Sequence, residues 1–220
     1  MGSEALTTKR FERRCGREVG MIILPFILAL QNPAPPICDP PGEYRTYTYA
    51  HQQETRERVQ KVCKRVGASP HICAFMDAIV VRESAGRAGV RHTLGTVGRG
   101  ENGLGAMGLS IPWHSNKWTG DADPDFCIPE VSAVVTLAIF RRAVKRYNAG
   151  NVLEIQAIFG GQWEHKHGKA WPRPTSRTVG SICSRMRRRD YSCYDRVDLK
   201  DLGRNIRLNE RQSFVDSLME

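Results

Sequence analysis

Apolar residues recur along the chain at three- and four-residue intervals, so the pattern predicts helices first. In "QQETRERVQKVCKRVGA" (52–68), Val59, Val62, Cys63 and Val66 share one helical face, and Gly67 marks its stop. "SPHICAFMDAIVVRESAG" (69–86) predicts a second helix. Ser69 suits the N-cap, Pro70 the first helical position, and Gly86 the C-terminal stop. The strongest helix is predicted over 129–150, where Val131, Val134, Val135, Leu137, Ala138, Ala143 and Val144 build a broad apolar face. A shorter one over 151–161 starts at Asn151 as cap, and the final "LNERQSFVDSLME" reads as a short helix. No alternating strand of useful length stands out, so the fold class expected is mainly α. Residues 86–108 hold eight glycines and little periodicity. They predict a long loop, and a loop of that length in a compact domain is usually functional.

Glu83 stands out against this pattern. Val80, Ile79, Met76 and Ile72 lie three, four, seven and eleven residues before it, which puts a carboxylate on the apolar stripe. Desolvation there, and the negative end of the helix dipole, both favour the protonated acid. A carboxylic acid that keeps its proton near neutral pH is what a general acid for glycosidic cleavage requires. The structural alternative is an ion pair with Arg82, Arg87 or Arg91 at a helix end. Arg82 is expected on another side of the helix, about 100° away.

Charge widens the picture. Thirty-three Lys and Arg against twenty-three Asp and Glu give +10. That excess suits polyanionic surroundings: nucleic acid, anionic membrane, or a carboxylate- and phosphate-rich bacterial wall. Nucleic acid is disfavoured, because no aromatic residue interleaves the basic run Arg185 to Arg189 and no zinc-finger or helix-turn-helix pattern appears. The N-terminus points to export. Lys9, Arg10, Arg13, Arg14 and Arg17 precede "MIILPFILAL" (21–30), an apolar run too short for a comfortable membrane span. Ala34 is the candidate cleavage position, Met21 an alternative start, and a buried N-terminal helix the competing reading, against which Pro25 argues.

Seven cysteines agree with export. Loss of Cys15 with the leader leaves six, enough for three disulfides in an oxidising compartment. Proximity suggests Cys63 with Cys73 and Cys183 with Cys193; buried free thiols are the alternative. Five prolines in "QNPAPPICDPPGE" (31–43) make a stiff linker. The expected organisation is an export segment over 1–34, a linker over 35–50, a catalytic domain over 51–170, and a basic, Cys-containing extension over 171–220. The expected location is secreted, periplasmic or in the cell envelope, with no stable membrane span once the leader is removed.

After the glycine-rich loop comes "GLGAMGLSIPWH" (103–114). A helix ending in Glu-Ser, a variable loop, then Gly-Ala-x-Gly-Leu resembles the lytic transglycosylases of the lysozyme-like superfamily, and is similar to goose-type lysozymes. The resemblance spans roughly residues 55–163. It implies a lysozyme-like helical domain with long loops. Glu83 would be the catalytic residue, and Ser84, Gly105, Ala106, Met107, Gly108, Leu109 and Phe159 would bind substrate in the sugar cleft. The family's Ala-x-Tyr-Asn-x-Gly helix end has its counterpart in "AIFGGQ", with Ala157 and Phe159 in place; "YNAG" (147–150) ends the preceding helix and is set aside. Two departures matter. Ser110 and Ile111 stand where Met-Gln is usual, with Ser110 a candidate substitute contact to sugar, and Phe159 lacks the hydroxyl of the family tyrosine.

The resemblance implies cleavage of peptidoglycan glycan strands by one glutamate, with no cofactor and no metal. Hydrolysis would need a second carboxylate. Glu101, Asp121, Asp123, Asp125 and Glu130 are candidates, though none sits in an identifying motif. The alternating Asp121, Asp123 and Asp125 lack the full calcium-loop pattern and read as a polar turn. His114, His165 and His167 have no accompanying Cys/His set for a metal. Trp113, Trp118, Trp163 and Trp171 are candidates to stack on sugar, with packing the commoner role. Arg91 and His92 are candidates to meet a peptide carboxylate. The alternatives are a hydrolytic muramidase and a non-catalytic wall-binding protein on the same scaffold.

Overall fold

The computed structural model describes residues 38–39, 46–92, 103–110, 114–118, 125–160, 163–166, 169–172 and 176–220. The export segment, most of the linker, and Glu101, Trp113, Asp121 and Asp123 lie outside the described residues. So do the side chains of Arg91, His92, Trp163, His165, His167 and Trp171. Among the described residues the fold is mainly α: α1 (Tyr49–Arg65), α2 (Pro70–Ser84), α3 (Pro129–Tyr147), α4 (Val152–Phe159), α5 (Ser176–Arg187) and α6 (Arg211–Met219). None of these helices is long and apolar enough to cross a membrane.

Local chemistry sets the helix ends. The Ser69 hydroxyl accepts from the Ile72 N–H and Pro70 opens α2; the Asn151 side chain accepts from the Glu154 N–H at 3.1 Å. The stop of α2 comes one residue earlier than expected. Ala85 itself takes the left-handed conformation, with φ 55°, and Gly86 follows it with φ 82°. Ile72 to Val80 is buried without a break. α2 is therefore the central helix, with α1 and α5 packed against it. Phe75 stacks on Phe140 of α3 at 4.9 Å between ring centroids.

Two buried carboxylates lock the helices in register. Asp77 of α2 receives Nε and Nη2 of Arg56 at 2.8 Å each, and Arg189 at 2.6 Å. Glu130 of α3 receives Nε and Nη2 of Arg58 at 2.7 Å each. Such forked pairs fix orientation, since loss of one partner strands a buried charge.

Three disulfides are formed. Cys63–Cys73 and Cys183–Cys193 have Cα atoms 5.7 and 5.4 Å apart, and Cys38–Cys127, at 5.3 Å, closes a separation of 89 residues.

The strands among the described residues are short: β1 (Arg91–His92) pairs with β2 (Gly103–Leu104), and β3 (Trp163–Lys166) with β4 (Lys169–Pro172), both antiparallel. Two to four residues are too few to show alternation. The segment after 171 shares its core with the helices before it. Ile182, Met186, Val197, Leu202, Ile206, Phe214, Val215 and Leu218 are buried in the same cluster as Phe75 and Ile79.

Candidate active site

The last turn of α2 delivers Glu83 to a tight turn at 105–108. Leu104 and Leu109 bond to each other in both directions, N–H to carbonyl, at 2.6 and 3.0 Å, closing the turn. Gly105 and Gly108 both have positive φ, 68° and 65°. Neither tolerates a side chain there: a Cβ on Gly105 would collide with the Phe126 carbonyl, and one on Gly108 would stand 3.2 Å from Glu83 Oε2. Bare backbone at Gly108 thus lets the chain pass against the carboxylate.

Ser84 pins this arrangement. Its hydroxyl donates to Val80 O at 3.0 Å or to Ala106 O at 3.1 Å, and accepts from the Gly86 N–H at 3.1 Å. One side chain therefore joins the end of α2, the loop behind it and the turn in front of it. Gly105 N–H donates to Val90 O at 2.8 Å, tying the turn to the same loop.

The Glu83 side chain is 28% exposed, and Arg82 Nη1 approaches its Oε1 at 3.7 Å. Arg82 was expected on another side of the helix; its long stem brings the guanidinium back to the carboxylate. The other candidates divide by burial. Gly108 is half-buried beside Glu83. Ser84, at 1% exposed, along with Ala106, Met107, Leu109, Ser110 and Phe159, is buried. Their side chains are buried, so none of them is offered free to a ligand. Phe159 packs edge-on to Phe140 at 5.9 Å and face to face with His114 at 6.2 Å. Glu130 is held by Arg58, and Asp125 Oδ1 accepts from Cys127 N–H at 2.9 Å, so neither is placed beside Glu83 by anything observed.

His114, a metal-ligand candidate by residue type, has a hydrogen-bonding role in the structure. Ser110 N–H donates to its ring Nδ1 at 2.8 Å, while the His114 backbone N–H donates to Ser110 O at 2.8 Å. The ring thereby fixes the outgoing end of the turn; the four-residue spacing was the only sequence signal. Burial and then the Lys117 ammonium push the imidazole down to about 4. An unfolded imidazole titrates near 6.5, so the unfolded chain binds more protons between those values, and stability drops as pH falls through that window. This ring alone is expected to cost about 2 kcal/mol between pH 7 and 4.5. Urea unfolding at both pH values should show the wild type losing more stability than His114→Phe. Equal losses would remove the ring from the account.

Two supports of the site had no signature in the sequence. Tyr47 Oη donates to the Asp39 carboxylate at 3.1 Å and accepts from the Gly89 N–H at 3.0 Å, while Asp39 N–H donates to Gly89 O at 2.7 Å. On the other flank, the Phe126 carbonyl backs Gly105 and accepts from the Ser132 hydroxyl at 2.5 Å. No protein-family model, curated protein or solved structure matches the chain.

Proposed function

We propose that the chain cleaves peptidoglycan as a lytic transglycosylase on a lysozyme-like scaffold, with Glu83 as acid and then base. The observation that carries this reading is the Glu83 carboxylate, partly exposed at the end of the central helix and set against the bare backbone of Gly108. Gly108 puts no side chain of its own in the way of a sugar oxygen approaching this carboxyl group.

In the proposed reaction the Glu83 carboxylic acid protonates the oxygen between N-acetylmuramic acid and N-acetylglucosamine. The C1–O bond breaks, and the substrate's acetamido oxygen stabilises the cation at C1. The Glu83 carboxylate then takes the proton from the muramyl C6 hydroxyl as that oxygen bonds to C1. A 1,6-anhydro ring closes, no water is consumed, and Glu83 regains its proton. Arg82, at 3.7 Å, is placed to balance the carboxylate while it lacks the proton. Among the described residues, the engagement of Glu130 with Arg58 and of Asp77 with Arg56 and Arg189 favours this one-carboxylate route over hydrolysis.

Burial of Phe159 between His114 and Phe140, where the family places a tyrosine, favours a second reading: a wall-binding protein without activity. The three disulfides fit either reading in an oxidising, extracytoplasmic compartment, and the net charge of +10 would draw the protein to an anionic wall. Digestion of purified sacculi followed by mass spectrometry separates the readings. Anhydro-muropeptides are expected. Reducing muramic ends would mean a hydrolase, and bound protein without released fragments a binder.

A further inference from the structure

Arg211, the first residue of α6, is 5% exposed, and its side chain lies inside the molecule. Nε donates to Ile206 O at 3.3 Å, but Nη1 is buried with no hydrogen-bond partner. Arg141 of α3 is half-buried nearby, its Nη2 donating to Leu202 O at 3.0 Å and to Gly203 O. Arg204 is exposed, its guanidinium over the Phe214 ring at 5.8 Å. These three arginines and Asn205 line one small cavity that opens to solvent, backed by Val134 and Leu137.

Among the described residues, no carboxylate pairs with any of the three. The neighbouring acids are engaged locally: Asp201 Oδ2 accepts from Asp198 N–H at 2.8 Å, and Glu210 Oε2 from Arg207 N–H at 3.3 Å. Burial holds both Arg141 and Arg211 below the ordinary guanidinium value. Lys117 is also lowered, by burial and then by Arg142, Arg211 and Arg146, so the surroundings are cationic. A buried guanidinium without a counter-charge is expensive, and an unpartnered buried donor in a folded protein calls for an ion or water to complete it.

We infer that Arg141, Arg204 and Arg211 form a binding site for a phosphate-class oxyanion, entered from the side of Arg204 and Asn205. Each guanidinium has five N–H donors, and the three loop carbonyls accept only some of them. Three cationic forks without an acid match a tetrahedral dianion better than a carboxylate, whose two oxygens a single fork saturates. The enclosed space takes about one water, so the oxyanion lies at the open mouth, beside Arg204 and Asn205. None of the residues around Glu83 takes part, so the site stands apart from the proposed cleavage.

The test is calorimetric titration of the full chain with inorganic phosphate at fixed ionic strength. Sodium acetate and glycerol 3-phosphate serve as separate arms. Saturable one-to-one phosphate binding is expected, with a melting temperature that rises with phosphate concentration. Arg204→Ala, on an exposed residue, should weaken binding at least tenfold while melting as the wild type does in phosphate-free buffer. Asn205→Ala should weaken it less. Competition by glycerol 3-phosphate would support the site with a monoester as its ligand; failure to compete would support it with free phosphate. Absence of saturable binding, unchanged affinity in Arg204→Ala, or acetate binding as tightly as phosphate would overturn the inference.

Discussion

Glu83→Gln is expected to lower muropeptide release from sacculi by about a thousandfold or more while leaving the fold intact. Gln keeps the size of the side chain and its hydrogen-bonding capacity but has no acidic proton to give. Positioned general acid catalysis contributes about 10²–10⁴-fold, and here one group serves both proton transfers, so the upper part of that range applies. Stability should hardly move. The side chain is 28% exposed, its ion pair with Arg82 is a long 3.7 Å, and Gly108 leaves room for an amide as for a carboxylate. Partly exposed pairs of this kind are worth about 1 kcal/mol or less. Chromatography of released fragments, with a melting curve on the same preparation, reads both halves. Release at the wild-type rate by a folded Glu83→Gln protein would end the catalytic reading, whichever products the wild type makes.

Glu83 was legible because its signal is local. Helical register alone places it under Val80 and Ile79, and Ser69 and Asn151 announce their helices by cap chemistry that operates within four residues. The roles of its neighbours depend on contacts that no spacing records. Ser84 reads as a residue facing the ligand until its hydroxyl is seen between Val80 O and Ala106 O. Arg82 reads as turned away until the flexibility of its stem is counted. The C-terminal part looked like an appendage because its apolar residues are thinly spread among arginines. Ile182 and Met186 are four apart on α5, but Val197, Leu202 and Ile206 come from irregular chain and 3₁₀ turns that have no period to detect. The cationic cavity is the extreme case: Arg141 and Arg211 are seventy residues apart in sequence and meet only through the loop at 202–206.

Cys38→Ser with Cys127→Ser is expected to give the largest loss of stability of the three disulfides, and to loosen the candidate site specifically. By loop-closure entropy, a bridge spanning 89 residues stabilises by about 4–5 kcal/mol, against about 2.5–3 for each bridge spanning ten. Its position matters as much as its span. Cys38 adjoins Asp39, which with Tyr47 holds Gly89 in the loop behind Glu83; Cys127 adjoins Phe126, whose carbonyl backs Gly105 in the turn before it. The single bond therefore joins the supports of both flanks of Glu83. Neither of the other bridges adjoins these supports: Cys63–Cys73 joins α1 to α2, and Cys183–Cys193 ties α5 to the segment after it. Urea unfolding should show the first effect. Hydrogen exchange at the Gly89 and Gly105 amides, which donate to Tyr47 Oη and Val90 O, should show the second. Those amides should speed up beyond what the global loss of stability explains, whereas amides inside α3 should follow the global change alone. If Gly89 and Gly105 track α3, the bridge stabilises the whole fold without organising the site, and the hydrogen bonds around Glu83 hold its flanks without it.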